Sequence, residues 1–167
     1  MQNSVSCFQV NKNEQKEITG GLQSVPSDDL PSGDVTIRVV YSSINYKDAL
    51  AATGHPGVVR NFPHIPGIDA AGYVVESKSD QFQVGDAVIV TSYELGVERW
   101  GGWSEFIRVK PEWVVPLPAG LTLKESMILG TAGLTAAMCV NSLIQHEIST
   151  DPGNVLVSGA SGGVGSF

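Results

Sequence analysis

Turns are what this sequence specifies most densely. Nineteen glycines and nine prolines interrupt its 167 residues, which suits short strands joined by turns and disfavours an architecture of long helices. Residues 1–120 fit that description. Val35, Ile37, Val39 and Tyr41 alternate with Thr36, Arg38 and Val40, the period-two pattern of a half-buried strand. Pro31, Ser32, Gly33 and Asp34 supply turn chemistry just before it. Further strands are expected over 67–75, 87–91 and 103–109, with Gly67 and Gly72 marking bulges or close backbone approach. Pro111, Pro116 and Pro118 end the series. Several short strands at this spacing predict a barrel or a sandwich.

The pattern changes near Leu121. Thr122 and Glu125 have the spacing of a capping box, which starts a helix. Gly130 stops it, and a second helix is expected from about residue 132 to about 146. Leu134, Ala137, Met138, Val140 and Leu143 make that helix apolar on most faces, which predicts burial. A turn over 151–154 and a short apolar strand over 155–157 lead into GASGGVG at 159–165. A strand followed by G-x-x-G-x-x-G is a variant of the dinucleotide-binding turn, in which glycines admit a pyrophosphate to the backbone amides. A flexible tail or a tight surface turn is the alternative, since no following helix and no ribose-reading acid accompany it.

Seventeen acidic against ten basic side chains give a net charge of −7. That is the wrong sign for neutralising phosphates and argues against nucleic-acid or anionic-membrane partners. Cys7 and Cys139 form no C-x-x-C pair, no disulfide framework and no thiolate metal site. No run of about eighteen consecutive apolar residues predicts a membrane span, and residues 1–20 contain no readable secretory signal. The expectation is a globular, cytoplasmic protein.

Six blocks then fall in one order: SINYKDAL at 43–50, IPGIDAAG at 65–72, VGDAV at 84–88, GGWSE at 101–105, GTAGLTA at 130–136 and VSGASGGVG at 157–165. Together they resemble the zinc-independent medium-chain dehydrogenase/reductases, specifically the acrylyl-CoA reductase group, also labelled quinone oxidoreductases. The resemblance covers nearly the whole chain. It implies a mainly β, GroES-like barrel as catalytic domain over 1–121, then the helix and first strand of an α/β Rossmann nucleotide-binding domain over 122–167. A complete member is about twice this length, beyond the usual single-domain size, so the chain resembles an N-terminal portion. The implied activity is hydride transfer from NADPH to an α,β-unsaturated acyl-CoA thioester such as acrylyl-CoA, a small-molecule substrate. Quinone reduction on the same fold and a non-catalytic GroES-like binding fragment are the alternatives. A homo-oligomer is expected. The chain as given is expected to fold its barrel, bind NADPH poorly and self-associate through its uncovered apolar segments.

Zinc-dependent relatives carry a cysteine where this chain has Asn45, and Gly-His-Glu where it has Gly67, Ile68 and Asp69. Ile68 has no lone pair to offer a metal, so no zinc is expected. His55, His64 and His146 read as surface or loop histidines. Asn45 and Tyr46 follow directly after a strand and open a short helix, and are the expected catalytic pair. By resemblance Tyr46 lies against the cofactor, its O–H serving as hydrogen-bond donor or acid; a core aromatic at the strand end is the alternative. Asn45 either contacts nicotinamide or substrate, or caps the helix. Thr131 matches a position near the nicotinamide, with a helix N-cap as the equal alternative. Ser161, Gly162, Gly163 and Val164 are the expected phosphate contacts. Asp48 and Asp69 read as structural carboxylates, one in the first turn of the short helix, the other a buried acceptor tying loops together. Lys47, Arg60 and Arg99 are candidate contacts for coenzyme A phosphates, with solvated surface charge as the favoured alternative for each taken separately. Trp100 and Trp103 flank Gly101 and Gly102, and either wall the substrate cleft or pack in the core or a lid.

Overall fold

The computed structural model describes residues 3–146 and 155–167. The β-region is built from two sheets. A hairpin of β1 (Ser4–Lys12) and β2 (Ile18–Pro26) forms the smaller. The larger contains β3 (Val35–Tyr41), β4 (Asp69–Ser77), β5 (Ala87–Thr91), β6 (Phe106–Val109) and β7 (Val114–Pro116), all antiparallel in the order β6-β3-β4-β5-β7. Backbone bonds from Phe8 N to Trp103 O (2.8 Å), Glu105 N to Ser6 O (2.9 Å) and Val10 N to His64 O (2.7 Å) tie the hairpin to the larger sheet. β7 lies beyond Pro111, where the prolines predict no strand. It is a short edge strand, the one place in a sheet that tolerates Pro116, which has no amide to donate.

Val35 and Ile37 enter the core with Val74, Val88, Val90, Ile107 and Val109, as the alternation predicts. The alternation then fails along β3. Its register with β4 shifts between Thr36 and Ile37 and again between Val39 and Tyr41, which leaves Val39 half-buried and turns Tyr41 to solvent. Thr36, expected on the polar face, is only 2% exposed. Arg108 and Glu76 flank it on the neighbouring strands, and its hydroxyl lies 3.4 Å from a polar atom of each. Gly72 permits close approach, as expected: an added Cβ would collide with the carbonyl oxygen of Arg38.

α1 (Tyr46–Ala52) follows Asn45. α2 (Leu123–Gln145) starts with the expected capping box: Glu125 N donates to Thr122 Oγ1 (3.2 Å) and Thr122 N to Glu125 Oε2 (2.9 Å). The Thr122 hydroxyl also donates to Glu125 Oε2 (2.7 Å), and this bond, with that of the Thr122 amide, holds the Glu125 carboxyl below the ordinary carboxylate range. Gly130 does interrupt the helix, as a kink with φ 52° and ψ −157°. Before the kink, Leu123 and Met127 bury themselves against Ala71, with Ala87, Ile89 and Leu117 alongside. After it, burial fails: Met138, Val140 and Ile144 are more than half exposed, because no described element lies over them. α2 is also long and apolar enough, by length and composition alone, to cross a bilayer. Gly130, Thr131, Gly133 and Thr135 interrupt its apolar run without adding charge, so the helix has that length and composition without an unbroken apolar run.

Residues 155–157 do not form the expected strand. Leu156 is 94% exposed, and no strand among the described residues pairs with this segment. An extended segment becomes a strand only when its amides and carbonyls find a partner. The turn expected over 151–154 lies outside the described residues.

Candidate active site

Asp69 opens β4 and is fully buried. A buried carboxylate is tolerated only when donors surround it, and here they do. Oδ1 accepts the Thr131 hydroxyl at 2.6 Å; Oδ2 accepts the Thr131 amide at 3.0 Å and Asn45 Nδ2 at 2.8 Å. Thr131 begins the half of α2 that follows the kink, so this carboxylate also caps that half from another element and sets negative charge at its positive end. Gly130 makes the approach possible. Besides its positive φ, an added Cβ there would lie 2.6 Å from Ser43 Oγ and 2.9 Å from Asp69 Oδ2. Ser42 Oγ donates to Asp69 O (2.7 Å) and Ser43 Oγ to Met127 O (2.7 Å), which fixes the loop before α1 between β4 and α2.

Asn45 and Thr131, two of the expected site residues, are thus brought together through Asp69. The expectation that Asp69 ties loops together is met as well. Ser92 completes the cluster, its hydroxyl 3.1 Å from Thr131 Oγ1. Nothing in the sequence marks it. A left-handed turn is ordinarily announced by Gly, Asn or Asp, yet Ser92 and Tyr93 adopt φ of 62° and 52°.

Tyr46 is the first residue of α1 and is 81% exposed, which removes the alternative of a core aromatic. Its ring stands beside the cluster in sequence but makes no hydrogen bond among the described residues. Asp48 is fully buried and accepts Asn45 N (2.7 Å), Ile68 N (2.9 Å) and Gly67 N (3.1 Å). Burial pushes its carboxyl above the ordinary range despite those bonds. The glycine-rich segment folds as turns, with Gly162 N donating to Gly159 O (2.9 Å) and Ser166 N to Gly162 O (3.0 Å). Ser161, Gly162, Gly163 and Val164 are exposed. A Cβ on Gly163 would meet Ala132 Cβ at 3.4 Å, and one on Gly133 would meet the Phe167 ring at 3.5 Å. The segment therefore lies against the turn of α2 that carries Thr131.

His64 corrects the surface assignment. It is 3% exposed, because its strand-like pairing with Val10 inserts it under the hairpin, and Nε2 lies 2.9 Å from Gly96 O. Burial lowers its pKa from the ordinary histidine value. Of the candidate phosphate contacts, Arg60 pairs with Glu98 (3.7 Å), while Arg99 donates to Ser32 O and lies over the Trp113 ring. Lys47 is exposed. Trp100 donates to Pro63 O (2.9 Å) and Trp103 meets Phe8 edge-on, the packing alternative for both. Among the described residues no three His, Cys, Asp or Glu side chains cluster as metal ligands would.

Residues 31–119 match the family described as the alcohol dehydrogenase GroES-like domain. The acrylyl-CoA reductase AcuI of Ruegeria pomeroyi is 44% identical over 158 residues, which cover 94% of this chain and 48% of that protein. The crystal structure of yhfP from Bacillus subtilis with NAD bound aligns with a TM-score of 0.93 at 48% identity, covering 99% of this chain and 50% of that one. The yhdH oxidoreductase from Salmonella enterica in complex with NADP aligns with a TM-score of 0.92 at 45% identity, covering 96% of this chain and 49% of that one. The chain spans about half the length of the curated relatives it matches.

Proposed function

This chain belongs to the alcohol dehydrogenase GroES-like domain family, and on that footing we propose that it supplies the catalytic domain, over 1–121, and the start of a Rossmann nucleotide-binding domain, over 122–167, of a zinc-independent, NADPH-dependent oxidoreductase. The substrate class is an α,β-unsaturated acyl-CoA thioester resembling acrylyl-CoA. The likeness to AcuI and to NADP-bound yhdH supports this reading. The observation that carries it is the convergence on Asp69 of Asn45 and Thr131, with Tyr46 next to Asn45 and the glycine-rich segment against the Thr131 turn.

The residues present fit a dinucleotide. The two turn bonds in the glycine-rich segment use the amides of Gly162 and Ser166 and not those of Ser161, Gly163 or Val164, and glycine at 162 and 163 leaves no side chain in an anion's way. Ser161 to Val164 would hold the phosphates, and Tyr46 and Thr131 the nicotinamide end. When bound, NADPH supplies a hydride for the β-carbon of the thioester.

The chain's own contribution is to orient the thioester and manage its protons. The single hydroxyl proton of Thr131 goes to Asp69, so Thr131 presents only lone pairs and its methyl group elsewhere and does not act as an acid. Asn45 is held by the same carboxylate, which fixes its amide plane. Tyr46, whose hydroxyl has no hydrogen-bond partner among the described residues, donates to the thioester oxygen where negative charge develops, and the enolate takes its proton at the α-carbon from solvent. In a polypeptide of the relatives' full length that carries this chain, acrylyl-CoA is expected to oxidise NADPH faster than a benzoquinone does. Oxidation by the quinone with none by acrylyl-CoA overturns the substrate assignment.

A further inference from the structure

The backbone that presents Ser92 is strained, and the hydroxyl it presents serves no helix or strand. Positive φ at Ser92 and Tyr93 (62° and 52°) is a conformation in which a side chain is a liability and glycine is not. Backbone needs alone favour glycine at 92. The turn is held from several sides instead. Ser92 N donates to Ile68 O (2.8 Å), Leu95 N donates to Ser92 O (3.2 Å), and the Tyr93 ring stacks on Trp113 at 5.5 Å.

The direction of the Ser92 bond follows from its neighbours. A carboxylate only accepts, so the Thr131 proton lies on the 2.6 Å bond to Asp69 Oδ1. Thr131 Oγ1 must then accept from Ser92 across 3.1 Å. Donation runs one way, from Ser92 to Thr131 to Asp69, and Asn45 reaches the same carboxylate from the far side.

We propose that Ser92 is a positioning residue of this site: its hydroxyl holds the Thr131 hydroxyl on Asp69 and, through Asp69, holds the carboxamide of Asn45. The strained turn persists because glycine would relieve the backbone and lose the donor. The functional half of the proposal rests on the reading of Asn45 and Thr131 as active-site residues; the network itself does not.

Two variants of the 167-residue chain separate hydroxyl from backbone. Ser92→Gly relieves the strain, Ser92→Ala keeps it, and both delete the donor. Ser92→Gly is expected to melt no lower than the parent, and Ser92→Ala to melt below it. In both, NMR should show hydrogen exchange at the Thr131 amide faster by about tenfold, the size of one neutral hydrogen bond, and displaced resonances for the Asn45 side-chain NH2. Exchange and resonances unchanged in Ser92→Gly overturn the proposal, whatever the melting temperature does. In a polypeptide of full family length, Ser92→Gly is expected to lower kcat with the KM for NADPH unchanged. Faster exchange with an unaltered kcat instead overturns the placement of Asn45 and Thr131 in the active site.

Discussion

Asn45 and Thr131 donate to one and the same atom. Asp69 Oδ2 receives the Asn45 side-chain amide at 2.8 Å and the Thr131 backbone amide at 3.0 Å, so a loop residue and a helix residue are registered by a single oxygen on a strand. Asp69→Asn places an NH2 group or a weaker acceptor against the Asn45 and Thr131 donors. The expected cost is about 2–4 kcal/mol of unfolding free energy, the range for breaking a buried charged hydrogen-bond network. Urea unfolding of the variant measures it, and a loss within error of zero would mean that the cluster contributes nothing to the fold.

Tyr46→Phe separates chemistry from packing. The ring is 81% exposed, so the variant should keep the parent's stability within about 0.5 kcal/mol. Single-turnover reduction in a polypeptide of full family length should slow by roughly 10-fold to 1,000-fold, the effect of removing one donor to a developing charge. An unchanged single-turnover rate removes Tyr46 from the chemistry.

Acid should destabilise the chain through His64 and not through Asp48. Burial holds the His64 pKa below its ordinary 6.5, so its stabilising contribution is present above pH 6.5 and is lost as pH falls through the depressed folded value. The Asp48 pKa is raised above 3.8, so its contribution has the opposite sign, complete below that pH and lost as pH rises through the folded value. The urea midpoint should therefore fall between about pH 7.5 and about pH 5, and His64→Gln should flatten that slope. A slope identical in the variant would assign the loss to other groups.

Ser104 offers a test in the stabilising direction. Its Oγ is buried without a hydrogen-bond partner among the described residues, and an unmet polar group costs free energy that an alanine does not. Ser104→Ala should leave stability unchanged or raise it by up to about 1 kcal/mol. A fall of the melting temperature by several degrees would show that the hydroxyl has a partner, such as an ordered water.

Zinc should be far below one equivalent per chain by elemental analysis, because Asn45 and Asp69 already satisfy each other and Ile68 has no lone pair. Stoichiometric zinc surviving dialysis against a chelator would refute this.

Features set by neighbours along the chain are legible in the amino-acid sequence. The Thr122–Glu125 box, the interruption at Gly130 and the strand at Ala87–Thr91 all follow from local backbone chemistry. So does Asn45 at the head of a short helix. What depends on distant partners is not legible there. His64 is buried because Val10 pairs with it, and Thr36 because Arg108 and Glu76 flank it. Ser92 is invisible in sequence because its left-handed turn is imposed by Ile68, Thr131 and Trp113 and not by residues of turn type. Apolarity alone predicts burial for Met138 and pairing for 155–157, but each needs a covering surface that the described residues do not contain.

The cap on the second half of α2 has a consequence for autonomy. A helix usually carries its own start signal, as Thr122 does for the first half. The half that begins at Thr131 borrows its start from a strand far back in the chain. A helix of that length is marginal alone in water, and severed from Asp69 it loses both the acceptor for its leading amide and the charge at its positive end. That helix therefore assembles after β4 or together with it, and its helicity reports whether the sheet beneath has formed.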